Sequence, residues 1–174
     1  LTVWDAQTDT AQTLVTSDLA ITLMALAWRP DGQALAYDVT GMVWSLNVIG
    51  LDGAPLQTRI VDRYAKMIPQ LGGWSPDGQV LLTWLGPTSP PHRENGLPLW
   101  VIPESDAEPR CLEERVLPWS DYVDWSPSSK QIAFIGGAGR ESWVNKGLAI
   151  TDPETLLPRW LVDSTEQAPL QPSW

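Results

Sequence analysis

The residue types that most often carry enzyme chemistry are sparse in this chain. His92 is the single histidine, so a Ser-His-Asp triad would have to use it, and no Gly-x-Ser-x-Gly sequence presents a nucleophilic serine. With one histidine and one cysteine, Cys111, the chain has no histidine-rich or thiolate metal cluster. A lone loop histidine is more often exposed than catalytic, and Cys111 is expected to be a small structural residue on a strand. The sequence predicts a protein without a catalytic centre or cofactor of its own.

Other ligand chemistries leave equally weak signals. Residues 136–140 read Gly-Gly-Ala-Gly-Arg but lack the Gly-x-x-x-x-Gly-Lys spacing of a phosphate loop. A carboxylate-only Ca²⁺ site stays open, although no Asp-x-Asp-x-Asp-Gly run occurs. The net charge of −10 would repel a nucleic-acid backbone or an anionic membrane surface. No apolar run approaches the ~18–20 residues that span a bilayer, so neither nucleic acid nor membrane insertion is expected.

One short motif recurs along the chain. It reads Trp-Ser-Pro-Asp-Gly at 74–78, Trp-Arg-Pro-Asp-Gly at 28–32 and Trp-Ser-Pro-Ser-Ser at 125–129, and Trp174 begins what looks like a fourth copy. The four tryptophans are spaced by 46, 51 and 49 residues, a near-constant period that indicates a repeat architecture. The positions assigned to this structural repeat are Trp28, Pro30, Asp31, Gly32, Trp74, Pro76, Asp77, Gly78, Trp125 and Pro127.

Each repeat predicts two β-hairpins. Pro presets φ, Asp bonds the backbone ahead of it and Gly accepts positive φ, so the motif is a turn between two short apolar strands, A and B. A second hairpin, strands C and D, follows each motif. Asp31 and Asp77 are therefore expected to form turns rather than act as catalytic acids or metal ligands. The motif tryptophans are expected to pack between sheets rather than bind a ligand. Ser128 and Ser129 replace Asp-Gly in the third copy, which leaves its turn geometry open.

Four-stranded units at this spacing predict an all-β fold, a β-propeller fragment of about three and a half blades. A blade cannot bury both of its faces alone. The start without Met and the end within a repeat are expected of an excised piece, whose remaining blades come from the parent chain or from self-association. The predicted boundaries are strands C and D of a preceding blade at 1–18, full blades at 19–63, 64–118 and 119–165, and the start of the next blade at 166–174.

Over essentially its whole length the chain resembles the TolB-like propellers, whose repeat runs Trp-Ser-Pro-Asp-Gly-x-x-Ile/Leu-Ala-Phe/Tyr. The resemblance implies a full ring of about six to eight blades and favours a periplasmic or extracytoplasmic location. It is specific for the fold and poor for function, because the repeat occurs in binding proteins, beside serine peptidases and in some lyases. The matching segments are 28–32 with 35–37, 74–78 with 81–82, and 125–127 with 132–134.

The connections between strands indicate which rim of the propeller binds. The D–A and B–C connections share one rim, and the long B–C loops at 86–96 and 136–146 each carry an Arg-Glu pair. The first blade has only residues 39–41 at the corresponding place. Such loops are a candidate binding surface, although variable loops without a partner are the alternative. The candidate rim residues are His92, Arg93, Glu94, Arg140, Glu141, Trp143, Lys146, Arg63, Tyr64 and Tyr122.

These features together predict a non-catalytic propeller module that binds a protein or peptide through one loop rim. Two alternatives stay open. The chain could be the substrate-gating propeller of a larger serine hydrolase or peptidase, or it could be a carbohydrate-binding propeller that uses rim aromatics and carboxylates.

Overall fold

The fold is all-β. The computed structural model describes residues 1–16, 22–41, 44–52, 57–62, 67–87, 95–105, 107–137, 145–162 and 172–174. Within those ranges the chain forms short antiparallel strands and one 3₁₀ turn at Ser120–Tyr122. The strands are β1 (Thr2–Asp5), β2 (Thr10–Thr13), β3 (Thr22–Trp28), β4 (Ala34–Thr40), β5 (Trp44–Gly50), β6 (Gln57–Asp62), β7 (Ile68–Trp74), β8 (Val80–Gly86), β9 (Leu97–Pro103), β10 (Arg110–Val116), β11 (Val123–Trp125), β12 (Ile132–Gly136), β13 (Gly147–Thr151) and β14 (Arg159–Val162).

The strands pair in chain order. Strands β1 and β2 form a hairpin, called the first hairpin, and β3–β6 form a four-stranded sheet, the first blade. Strands β7–β10, the second blade, and β11–β14, the third blade, share one sheet through a single β10–β12 pairing of Val116 with Gly136. A Cβ on Gly136 would lie 2.4 Å from the carbonyl oxygen of Arg115, so only glycine permits this approach of the two blades.

The A–B turns have the same geometry in all three copies. The amide of Gly32, Gly78 or Ser129 donates to the carbonyl three residues earlier, at 2.8, 2.9 and 2.9 Å. These three residues have φ values of 70°, 71° and 59°. Asp31 and Asp77 each accept a hydrogen bond, at 2.9 and 3.1 Å, from the backbone N–H two residues ahead. Ser129 thus takes the left-handed conformation that glycine takes in the other copies, which answers the question that the sequence left open.

The core lies between the blades. Residues that alternate along a strand point to opposite faces, so Leu81 packs toward the first blade while its neighbour Leu82 packs toward the third. A further cluster joins the first blade to the first hairpin through Leu35, Tyr37 and Ile49. Burial on both faces explains why the central strands are almost continuously apolar. The first interface includes Ala34, Ala36, Leu46, Val48, Leu81 and Ile102, and the second includes Leu82, Trp84, Leu99, Val116, Ile132 and Phe134.

Two of the motif tryptophans tie one repeat to the next. The Nε1 of Trp74 donates to the carbonyl oxygen of Ala27 at 3.3 Å, and the Nε1 of Trp174 donates to that of Asp124 at 3.4 Å. Both acceptors directly precede a motif tryptophan. Trp125 is packed between the second and third blades, but its Nε1 has no acceptor among the described residues. Trp28 is 50% exposed. The tryptophans therefore occupy equivalent positions in unequal surroundings.

None of the helical segments in the described ranges has the length and apolar character that crossing a membrane requires.

Candidate functional site

Most of the sequence-predicted rim residues lie outside the described part of the chain, namely His92, Arg93, Glu94, Arg140, Glu141, Trp143, Arg63 and Tyr64. The structure describes the other two. Tyr122 lies in the 3₁₀ turn and meets the ring of Trp119 edge to face, with ring centroids 5.7 Å apart. Lys146 is fully buried, and its Nζ donates to the carbonyl oxygen of Gly137 at 3.3 Å. Burial lowers the pKa of Lys146, and the nearby charge of Arg115 lowers it further. Lys146 is therefore an internal residue and does not present its charge to a partner.

A cleft of about 420 Å³ opens at the rim that the sequence analysis favours. Thr40 and Pro87 line it at the ends of two B strands, Trp44 and Leu97 at the starts of two C strands. The connection that leads into the third blade adds Trp119 and closes one side. We call this the rim cleft. Its described lining residues are Ala25, Asp38, Thr40, Trp44, Ile68, Pro69, Gln70, Leu71, Gly86, Pro87, Leu97, Trp119 and Ser120.

Asp38 holds two blades together at the floor of the rim cleft. Its side chain is buried, with 2% of its surface exposed. Its Oδ1 accepts from the amide of Ala25 at 2.7 Å, and its Oδ2 accepts from the amide of Leu71 at 3.3 Å. Both amides stand beside register shifts in the A strands β3 and β7, where the ladder leaves backbone groups unpaired. One carboxylate thus stabilises the A strands of two adjacent blades and sets the distance between them.

The opposite wall of the rim cleft is also held by hydrogen bonds. The Nε2 of Gln70 donates to the carbonyl oxygen of Pro118, which ties β7 to the connection that carries Trp119. The backbone carbonyl of Gln70 accepts from the hydroxyl of Thr83 at 3.0 Å. Trp119 itself remains 38% exposed. The indole is therefore presented at the rim by a connection that Gln70 ties to β7.

The sequence predicted the site in the long loops, whereas the described lining belongs mainly to strand ends. One signal in the sequence could have indicated Asp38. Counted from each motif tryptophan, Asp38, Trp84 and Ile135 stand at the same position, so an ionisable residue replaces an apolar one in the first blade. Buried ionisable residues need specific partners, and a departure from the repeat at such a position marks a local function.

The lining of the rim cleft is mostly apolar. A few polar groups sit among its described apolar residues, a composition typical of ligand pockets. Across the described ranges, no three His, Cys, Asp or Glu side chains are grouped so that they could hold a metal ion. The described lining contains no cysteine and no histidine. The arrangement can bury an apolar side chain against two indoles and direct it with polar contacts.

Cys111 lies on β10, away from the cleft lining. Burial raises the pKa of its thiol to about 11, and the carboxylates of Glu114 and Glu113 contribute to the rise. Because the thiolate is the reactive form, alkylation of Cys111 at pH 8 is expected to be roughly 100-fold slower than that of free cysteine. Labelling with iodoacetamide followed by mass spectrometry measures this rate. Protein unfolded in urea is the control, and equal rates in the folded and unfolded protein would contradict the expectation.

No family model matches the chain, and no curated protein sequence matches it. Solved structures do resemble it. An oligogalacturonate lyase from Vibrio parahaemolyticus is 14% identical with a TM-score of 0.66, over 94% of this chain and 47% of the lyase. A prolyl endopeptidase is 17% identical with a TM-score of 0.60, over 92% of this chain and 25% of that one. The β-propeller domain of the trilobed protease from Pyrococcus furiosus is 15% identical with a TM-score of 0.54, over 79% of this chain and 41% of that one.

These likenesses show the fold. The chain is a partial β-propeller, and it spans less than half the length of each of these three solved chains. The all-β propeller fold that the repeat predicted is confirmed. Sequence identities this low do not show a shared activity, so the activities of the peptidases and the lyase are stated of those proteins alone.

Proposed function

We propose that this partial propeller is a non-catalytic binding module, of the TolB-like kind, that takes a peptide or protein segment in the rim cleft. The single observation that supports it most is the cleft itself, which is walled by Trp44 and Trp119 and lies on the rim that carries the long loops. Trp side chains are rigid, bury a large area at low entropic cost and are enriched among the anchors of protein interfaces. A volume near 420 Å³ suits one large apolar side chain with its flanking backbone.

Charge defines the partner further. The chain has a net charge of −10, so its field attracts cationic ligands and slows the approach of anionic ones. The proposed segment therefore carries an apolar anchor flanked by lysine or arginine. Because exposed charges are screened by salt, its association rate falls as the salt concentration rises, while the contribution of the apolar anchor remains.

The test begins with selection of peptides from a random phage-displayed library on the purified protein, followed by calorimetric titration of the selected peptides. We expect Trp119→Ala to weaken their binding about 30-fold, since loss of a buried aromatic anchor removes about 2 kcal/mol or more. Trp4→Ala is the matched control, because Trp4 is 62% exposed on the first hairpin, which contributes no residue to the cleft lining. If the selected peptides bind Trp119→Ala and the parent protein with equal affinity, their binding site lies outside the rim cleft.

The loops that the sequence analysis favoured are tested with the same peptides. A triple variant, Arg93→Ala with Arg140→Ala and Trp143→Ala, is expected to weaken binding without changing the unfolding midpoint. Unchanged affinity would restrict the binding site to the strand-end residues of the cleft.

A second candidate function is that of a propeller domain in a larger hydrolase, where it controls access to a catalytic domain. Two structural neighbours, the prolyl endopeptidase and the trilobed protease, favour it. The reading frame of the parent gene tests it. A downstream Gly-x-Ser-x-Gly followed by Asp and His codons would support this function, and a full frame without them would contradict it.

The lyase neighbour supports a third candidate, a carbohydrate-binding propeller. Binding of the purified protein to an array that includes oligogalacturonates tests this directly. Trp119→Ala locates the sugar site, because it should abolish the array signal only if the sugar stacks in the rim cleft.

A further inference from the structure

An arginine on the D strand of the first blade binds the next blade. The Nη2 of Arg59 donates to the carbonyl oxygens of Pro103 and Ser105 at 3.1 and 3.4 Å, and it also contacts that of Glu104. These carbonyls belong to the C–D turn that joins β9 to β10 in the second blade. The guanidinium thus donates to backbone carbonyls at the turn of the neighbouring blade.

The same contact recurs at the following junction. Arg110, on the D strand of the second blade, donates from Nη1 to the carbonyl oxygen of Glu154 and from Nη2 to that of Pro153, both at 2.9 Å. Those carbonyls lie in the C–D turn of the third blade. A D-strand arginine that binds the C–D turn of the next blade is therefore a repeated device of this chain.

Arg159 is the third member of the series. Arg59, Arg110 and Arg159 are spaced by 51 and 49 residues, the same spacing as Trp74, Trp125 and Trp174. Arg159 begins the D strand of the third blade and is exposed, and no described carbonyl accepts a hydrogen bond from it. Arg159 therefore occupies the position from which Arg59 and Arg110 each bind the C–D turn of the next blade.

The surface beside Arg159 is apolar. Trp160, Leu161 and Val162 on β14 are 41%, 47% and 43% exposed, and Leu157 just before them is 76% exposed. Contiguous exposed apolar residues of this kind mark interaction surfaces. The inner side of the same blade is already engaged, since Trp174 donates from its backbone N to Oδ2 of Asp124 at 3.2 Å in addition to its indole contact.

We propose that this face of the third blade, Leu157 with β14, is the docking site for a further four-stranded blade of the same repeat. Arg159 donates its guanidinium to the backbone carbonyls of that blade's C–D turn. The sheet of that blade covers Val162, because Val162 pairs with Leu148 and Arg159 pairs with Ile150, two residues apart on one face of β13. Two observations indicate this occupant. Arg159 occupies the position from which Arg59 and Arg110 each bind the next blade, and Trp174 lies where the first strand of such a blade would end. A second copy of the acidic chain is disfavoured by mutual repulsion.

The test is a fusion in which residues 75–118 are duplicated directly after Trp174. Trp174 then takes the place of Trp74 and leads into strands B, C and D of a complete blade, whose C–D turn is the one that accepts from Arg59. We expect the fused blade to raise the urea midpoint of unfolding and to protect the backbone amides of 159–162 from hydrogen exchange. Arg159→Ala is expected to lower the folding equilibrium constant about tenfold in the fusion and less than twofold in the parent chain.

Arg159→Lys is the conservative control, and it should keep only part of the gain because an ammonium lacks the planar fork of donors. Three outcomes would overturn the proposal. They are a fused blade that leaves β14 unprotected, an Arg159→Ala effect of equal size in the fusion and in the parent chain, and a parent chain that sedimentation velocity shows to be a dimer dissociated by Arg159→Ala. The last result would assign the face to a second copy.

Discussion

Replacing Trp84 with alanine is expected to lower the free energy of unfolding by about 4 kcal/mol, since it leaves a large cavity in the most extensive core cluster. Trp84 has no exposed surface and lies between the second and third blades with Leu99 and Phe134. Gly72 stands so close that a Cβ there would lie 3.0 Å from Cζ3 of the indole. The neighbours of Trp84 are strands in fixed ladders, so they cannot collapse into the space. Urea unfolding followed by circular dichroism at 25 °C measures the loss.

Two controls separate the contribution of packing from that of the indole N–H group. Trp84→Phe is expected to cost only about 1 kcal/mol, because Nε1 of Trp84 has no acceptor among the described residues and phenylalanine removes that unsatisfied donor. Trp4→Ala, at a side chain that is 62% exposed, is expected to change stability by about 0.5 kcal/mol or less. A Trp84→Ala loss no larger than that of Trp4→Ala would show that the blades do not share this core.

Asp38→Ala is expected to lower the free energy of unfolding by about 3 kcal/mol. The substitution leaves the amides of Ala25 and Leu71 without their carboxylate acceptor, and each buried unsatisfied donor costs about 1–3 kcal/mol. Because the two amides belong to adjacent blades, the loss also loosens the walls of the rim cleft. Peptides selected on the parent protein should therefore bind Asp38→Ala more weakly under conditions in which it remains folded. Urea unfolding and calorimetric titration measure the two effects.

Substitutions at the same site distinguish the carboxylate from simple volume. Asp38→Asn keeps one acceptor oxygen, so its expected loss is between that of Asp38→Ala and the parent protein. Asp38→Ile introduces the residue type found at the equivalent position of the third blade, and it is expected to destabilise because the two amides remain unpaired. An Asp38→Ile variant that is more stable than the parent protein would contradict the assigned role of the carboxylate.

Much of the fold was predictable because the repeat appears directly in the residue types. Pro and Gly at fixed offsets from Trp define the turns, and apolar runs on either side define strands buried on two faces. Residue 129 is the exception that local chemistry did not decide. A serine adopts positive φ only at a cost, and here the flanking strands β11 and β12 impose the same closure as in the other copies.

The candidate site was predictable as a rim and poorly predictable as a set of residues. Connection order alone places the B–C and D–A loops together, and the rim cleft opens there. Lys146, chosen for its charge in a loop, is buried against Gly137 instead, because burial depends on neighbours that are remote in sequence. Asp38 is not among the predicted site residues, since the amides of Ala25 and Leu71, from which its carboxylate accepts, lie 13 and 33 residues away and meet only when two blades stack.

The sequence by itself determined the architecture of this protein, an all-β partial propeller whose period and turn chemistry are local properties. The tertiary structure alone decided which polar groups meet. It places one carboxylate between the A strands of two blades, and it pairs D-strand arginines with turns about 45 residues further along the chain. The physical reason is that turn and strand preferences act between neighbours along the backbone, whereas hydrogen bonds between blades depend on the stacking of whole sheets.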